Sequence, residues 1–440
     1  MIRLREYFIS LFVVVFVVLV SLSCDRGNVS EVVNTEKNGI TPSDESADPS
    51  GDRDLPYENP YFRVDLAAEA MTEEIEEGVA ASNRMGIDAL KFFCGKKDGN
   101  FMISPVSMTV AMGILAEGAR GETLDDISEV FGTDREGFRT LCLNLKVFAQ
   151  RSKEATTVKF ADLVAVNQKY VLYDRFIEAV MSWFDAQVAT LNFSNTSESL
   201  QYINKWASGS TDGDIPALLD DINPDAIAYL MNSVFFNSTW RIQFDPNDTK
   251  DGRFTPEKGD VFKVKMMSMT AEMPYAELDG LRAVELDYGE GEYVMDIILP
   301  SEKTLTECVQ EIDLQVLPKL LSRLKPRNVV LHLPRFTIEG KVEFNDYFSQ
   351  AGLASLYDNP DLSGICEDGD ICVSDIFQKS IITVGEKGTR AATATVIETD
   401  PTSAPPEDED IFFFANKPFL FLIRECNTGA ILFAGTYRSE

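Results

Sequence analysis

A chain of 440 residues with one histidine has few routes to catalysis. His332 lies in the apolar run 329–333, where alternate side chains of a strand would face a core. One imidazole cannot make a two-histidine metal site. No serine or cysteine stands in a nucleophile-elbow context that would use it as a base. It reads as a structural histidine, and the sequence argues against Ser-His-Asp catalysis. The seven cysteines are Cys24, Cys94, Cys142, Cys308, Cys366, Cys372 and Cys426, and none forms a CxxC pair. Zinc and thioredoxin chemistry therefore drop out. Cys366 and Cys372 flank the turn-rich residues 367–370, so a local disulfide stands there beside the alternative of buried thiols. No metal and no cofactor is implied.

The unusual chemistry lies instead in residues 385–400, GEKGTRAATATVIETD. Alternate positions Thr389, Ala391, Thr393 and Thr395 would form one face of a strand, small enough to enter a crowded sheet. The opposite face is mixed, and the continuation 401–410 is acidic and proline-containing, which suits an exposed loop. The segment fits two states, and a plain low-complexity surface loop is its simpler alternative.

The elements that would position it come from the rest of the chain. Hydrophobic residues make up 45%, enough for a sizeable core. The net charge of −31 argues against nucleic acid and against anionic membrane surfaces, since both need basic patches. At the amino terminus Arg3 and Arg5 precede an apolar run over 7–22, which reads as an export signal. The run is shorter than the roughly 20 residues of a confident transmembrane helix. Residues 21–24, SLSC, resemble a bacterial lipoprotein signal in which Cys24 is acylated, with Ser21 where leucine is usual. An uncleaved anchor or an ordinary secretory signal are the alternatives. Residues 1–23 are thus read as a leader and 24–60 as the acylated cysteine with a flexible, polar spacer. Residues 61–440 form one domain without a second linker. Helical patterns cover 71–93, 106–117 behind the cap Ser104 and Pro105, and 200–207. Strand-like runs cover 228–236, 295–299, 329–333 and 381–384, and 419–423 with 431–433 reads as a hairpin around 427–429. Helices concentrate early and strands late, so the class is α+β, mixed and multi-sheet.

Several motifs, in order, carry a resemblance. They are ISPVS at 103–107 leading to GARGET at 118–123, NSVFFNSTW at 232–240 with FDP at 244–246, LPRF at 333–336, NKPFLF at 416–421 and Gly435. Together with the small-residue segment they resemble the serpins over about 61–438. The resemblance implies three β-sheets, about nine helices and an exposed reactive-centre loop at about 386–411. It also implies suicide inhibition of serine-type endopeptidases: the target acylates itself on the loop, and the cut loop inserts into the main sheet as a new strand. The hinge then comprises Glu386, Gly388, Thr389, Ala391, Ala392, Thr393, Ala394 and Thr395, with Arg390 on the outward face. Ser104, Ser107 and Asn232 fall in the shutter, where Gln378 replaces the usual histidine, and Trp240 falls at the breach.

Counting along the hinge places the reactive bond between Thr402 and Ser403, within about residues 400–406. No Lys or Arg occurs between Ala391 and Asn416, which disfavours trypsin-like targets and suits elastase-like or subtilisin-like ones. Papain-type cysteine proteases remain an alternative, and residues 397–400, IETD, have a caspase-like pattern blocked by Pro401. Arg135, Arg139, Lys146, Arg151 and Lys153 are scattered among acids and read as a solvated helix face rather than a heparin site. The partners implied are a target protease in covalent complex and a membrane reached only through the lipid. The protein is read as a monomer, extracytoplasmic and anchored to a bacterial membrane. The competing function is a non-inhibitory serpin-fold lipoprotein acting as a surface binder or chaperone-like module.

Overall fold

Strands with apolar side chains on both faces must be covered on both faces, and this chain does so with helices and with a second sheet. The computed structural model describes residues 11–22, 72–150, 155–367, 371–388 and 410–440. The helices are α1 (Glu73–Lys96), α2 (Pro105–Gly118), α3 (Gly121–Phe131), α4 (Arg135–Gln150), α5 (Asp174–Phe184), α6 (Thr196–Ser210), α7 (Leu305–Glu311), α8 (Val316–Leu321) and α9 (Asn345–Phe348). The strands are β1 (Leu11–Leu22), β2 (Phe101–Ile103), β3 (Thr156–Asn167), β4 (Ala186–Leu191), β5 (Ala226–Ser238), β6 (Lys250–Phe254) and β7 (Phe262–Leu278). They continue as β8 (Leu281–Tyr288), β9 (Tyr293–Pro300), β10 (Lys325–Glu343), β11 (Ile371–Val384), β12 (Ile411–Phe414), β13 (Phe419–Glu425) and β14 (Ile431–Tyr437).

The strand order is β2-β14-β13-β9-β8-β7-β10-β11-β1-β5-β3-β4, with β12 on β10 and β6 on β7. The sheets implied by the resemblance are joined here by hydrogen bonding. β10 pairs with β7 up to Arg335 and with β11 from Phe336 onward, so one long strand passes from layer to layer. The expected helices 106–117 and 200–207 and the expected strands lie inside longer observed ones, the helix expected over 71–93 is observed over Glu73–Lys96, and 419–423 with 431–433 is the antiparallel β13–β14 pair.

Helix α2 shows why. Ser104 accepts the Ser107 N–H at its start, Pro105 occupies the first turn, and all of its residues are buried. A helix apolar all round must sit inside the protein. Helix α1 crosses it so closely that a Cβ on Gly86 would meet Pro105 Cγ at 2.3 Å. Both helices pack on the same face of the main sheet, in the largest core cluster.

One element has no counterpart in the sequence reading. The apolar run taken as a leader is a strand, β1, in the middle of the main sheet, antiparallel to β11 on one side and to β5 on the other. Its Val-rich composition favours a pleated, buried position. Phe16, Val18 and Val20 join the cluster that holds α1 and α2. Val17 and Leu19 join the cluster on the opposite face, with Ile203 of α6. The boundary drawn at residue 61 follows a polar spacer and cannot register a pairing made across it.

Candidate functional site at the opening of the central sheet

The polar residues of interest line the two strands that flank β1. At the upper end, β11 finishes at Val384, and the chain continues through 385–388 against the segment after β5. Trp240 anchors this junction. Its ring stacks on Tyr288 at 4.2 Å and 17°, and its Nε1 donates to the Gly385 carbonyl at 2.8 Å. The Trp240 and Phe244 amides donate to the carbonyls of Lys387 and Glu386, at 3.1 and 2.9 Å. Burial pushes the Tyr288 phenol well above its ordinary pKa, so this packing is neutral. The Glu386 carboxylate is 7% exposed, lies 3.6 Å from Arg335 and accepts from Thr249 Oγ1 at 2.8 Å. Gly388 has φ +82°, and a Cβ there would stand 2.3 Å from the Trp240 nitrogen. Only glycine fits that close left-handed approach.

Halfway down the strands is a second polar group. Gln378 on β11 accepts the Ser104 N–H at 2.9 Å and donates to the Met102 carbonyl at 3.1 Å, so its amide uses both ends. The Ser107 hydroxyl donates to Asn232 Oδ1 on β5. Asn232 Nδ2 donates to Asp162 Oδ1 on β3 at 2.8 Å, and Lys146 Nζ of α4 donates to Asp162 Oδ2 at 2.6 Å and to the Phe184 carbonyl. The side chains of Lys146 and Asp162 are 4% and 0% exposed. A chain of polar contacts thus runs from α4 through β3 and β5 to α2. Phe16 of β1 sits between its halves, opposite both Asn232 and Gln378.

The reading of Lys146 as part of a solvated face is corrected here, because its ammonium is buried on Asp162. Arg139 is also engaged, donating to both oxygens of Glu117 at 2.6 and 2.7 Å. Arg135 donates to the carbonyls of Ala116 and Ala119. Burial raises the pKa of Cys142, with the nearby Asp162 charge adding to it. Sequence reasoning passed over Asp162 and placed Lys146 on the surface. A charge inside the apolar runs 160–166 (FADLVAV) and 143–149 (LNLKVFA) was the available signal.

His332 packs its ring at 4.4 Å from Phe414 on β12, and burial lowers its pKa. Cys366 and Cys372 are both buried. No cluster of potential metal ligands occurs among the described residues. Thr389, Arg390, Ala391, Ala392, Thr393, Ala394, Thr395, Thr402, Ser403, Cys24, Arg151 and Lys153 lie outside the described residues. The chain is described again from Asp410, and β12 then runs parallel to β10.

A family model, Serpin (serine protease inhibitor), matches residues 80–439. An uncharacterised serpin-like protein of Thermococcus kodakarensis is 30% identical over 386 residues, covering 86% of this chain and 88% of the relative. Iripin-5 of Ixodes ricinus is 29% identical over 369 residues, covering 81% and 93%. Among solved structures, the native state of the thermophilic serpin tengpin matches with a TM-score of 0.74 at 22% identity, over 85% of this chain and 96% of that one.

Proposed function

The chain belongs to the serpin family, a family of protease inhibitors rather than catalysts, and on that premise we propose that it traps proteases by the loop-insertion route. Residues of about 386–411 serve as the bait. The target's hydroxyl or thiol attacks the Thr402 carbonyl, the bond to Ser403 breaks, and Ser403 leaves as a new amino terminus. The acylated loop then inserts between β11 and β5. At about 3.3 Å per residue, fifteen inserted residues carry the protease about 50 Å. The observation that carries this reading is the seam at Trp240. The hinge begins where β11 ends, and it is fastened there by Gly385, Glu386 and Gly388.

The targets proposed are elastase-like and subtilisin-like, with papain-type enzymes next. The protein is proposed to reach a bacterial membrane, outside the cytoplasm, through a lipid on Cys24, with 24–60 as spacer. Incubation of the soluble domain, residues 61–440 without the β1 run, with elastase, subtilisin, papain and trypsin should give an SDS-stable complex with the first two and simple cleavage by trypsin. The mass of the released carboxy-terminal peptide identifies the bond. If every protease only cuts the loop, and heat stability does not rise afterwards, the inhibitory reading fails. Thr389→Arg should turn inhibitor into substrate. Incorporation of labelled palmitate, lost in Cys24→Ser, tests the anchor.

A specific observation also favours the non-inhibitory reading for one form of the chain. The gap that insertion requires holds β1.

A further inference from the structure

Two segments of this chain have claims on one place in the sheet. A loop leaving β11 at Val384 must turn back and run antiparallel to β11 if it is to enter between β11 and β5. β1 already runs that way. Leu11 pairs with Thr383 at the entry end and Leu22 with Ile371 at the far end, and on the other side Leu11 pairs with Asn237 and Ser21 with Ala226. Position, direction and neighbours are those the inserted loop would need.

We propose that β1 is an intramolecular plug: a chain that keeps residues 11–22 in the sheet cannot take up its reactive loop, and displacement or removal of that strand opens the sheet. This rests on the inhibitory reading above for its consequence, though not for the occupancy itself. Both edges of β1 are laddered, so the strand leaves no free edge for a second one. Its residues 16–20 are buried on both faces, with Phe16 centred 5.2 Å from the Phe344 ring. The rival segment offers Thr389, Ala391, Thr393 and Thr395, whose side chains bury far less apolar surface than Phe, Val and Leu. The plug therefore outcompetes the loop for as long as both are on one chain. In the sequence, residues 23–72 separate it from α1. Cleavage before Cys24 removes the whole strand. The run that addresses the chain for export would then also keep the unprocessed chain harmless to proteases.

The test uses the full chain and its double variant Phe16→Asp/Val18→Asp, which places two carboxylates in the core and expels the strand. Hydrogen exchange should find amides 12–21 of the wild type as protected as those of β5. In the variant they should exchange freely while β5 and β11 stay protected. A synthetic peptide of residues 386–401 should raise the melting temperature of the variant and leave the wild type unchanged. The variant should form at least ten-fold more SDS-stable complex with subtilisin than the wild type. Rapid exchange of 12–21 in the wild type overturns the proposal, and so does peptide uptake by a wild type whose strand is protected. If the variant fails to fold, those two wild-type measurements decide alone. If the variant takes up the peptide but complexes no protease, the plug stands and the inhibitory reading falls.

Discussion

The strands on either side of β1 are fastened in two places, and the two fastenings are of different kinds. The seam at Trp240 is mainly backbone: carbonyls of Gly385, Glu386 and Lys387 accept from one indole N–H and two amides, and Gly388 closes it by lacking a side chain. The seam at Asn232 and Gln378 is side-chain work, buried and partly ionic, tying α2 and α4 to strands on both sides of β1. A backbone seam opens residue by residue, whereas a buried polar chain loses all its partners together. The upper seam is suited to opening first and the middle one to holding the sheet in register until it does.

The largest effect should come from the middle. Lys146→Met leaves the Asp162 carboxylate buried without its cation, which costs about 3–5 kcal/mol. The double variant Lys146→Met/Asp162→Asn should recover most of that, read from denaturant midpoints. A single-variant loss below about 1 kcal/mol would mean that water reaches the pair, and the contrast between the seams would collapse. Next, Gln378→Leu strips partners from the Ser104 N–H and the Met102 carbonyl, both buried. At about 1–2 kcal/mol for each orphaned group, the cost is about 2–4 kcal/mol. Gln378→His, which can keep one of these bonds, should cost less and make the loss depend on pH.

Legibility in the sequence follows the same division. Ser104, Pro105 and the apolar run behind them announce α2, because a cap and a missing N–H are local chemistry. Gly388, Trp240 and Asn232 were placed by family resemblance, and the structure brings Gly388 and Trp240 together at one seam. Arg335 and Thr249 were not foreseen as partners of Glu386, nor Asp162 as the partner of Lys146. Each pair is remote in sequence, and nothing in a lone charge says which strand will meet it. β1 was missed for another reason. A short, unbroken run of Val, Leu and Phe suits a leader and a buried strand equally, and its pairing with β5 and β11 is invisible in the run itself.

At the upper seam the effects should be smaller and more local. Gly388→Ala forces a Cβ toward the Trp240 backbone from a left-handed conformation, at about 1–3 kcal/mol. The change should appear as faster exchange of the Phe244 and Trp240 amides, with the Asn232 region unaltered. Loss of protection around Asn232 as well would show that the two seams are one cooperative unit.

The gentlest probe is Glu386→Gln, which keeps the shape and a hydrogen bond from Thr249 while removing the charge beside Arg335. That ion pair is 3.6 Å long, with the arginine side chain 23% exposed, so its loss should cost no more than about 1 kcal/mol. Its value is directional. Lengthened exchange lifetimes at Trp240 would mean that the charge strains the seam, and shortened ones that it fastens it. The second result is expected, because the carboxylate is nearly buried and has both an ion pair and a hydroxyl donor. Raising the salt concentration should reproduce part of the effect in the wild type and none in the variant. The Lys146–Asp162 pair, shut away from solvent, should not respond. If salt weakens both seams alike, burial is not what separates them.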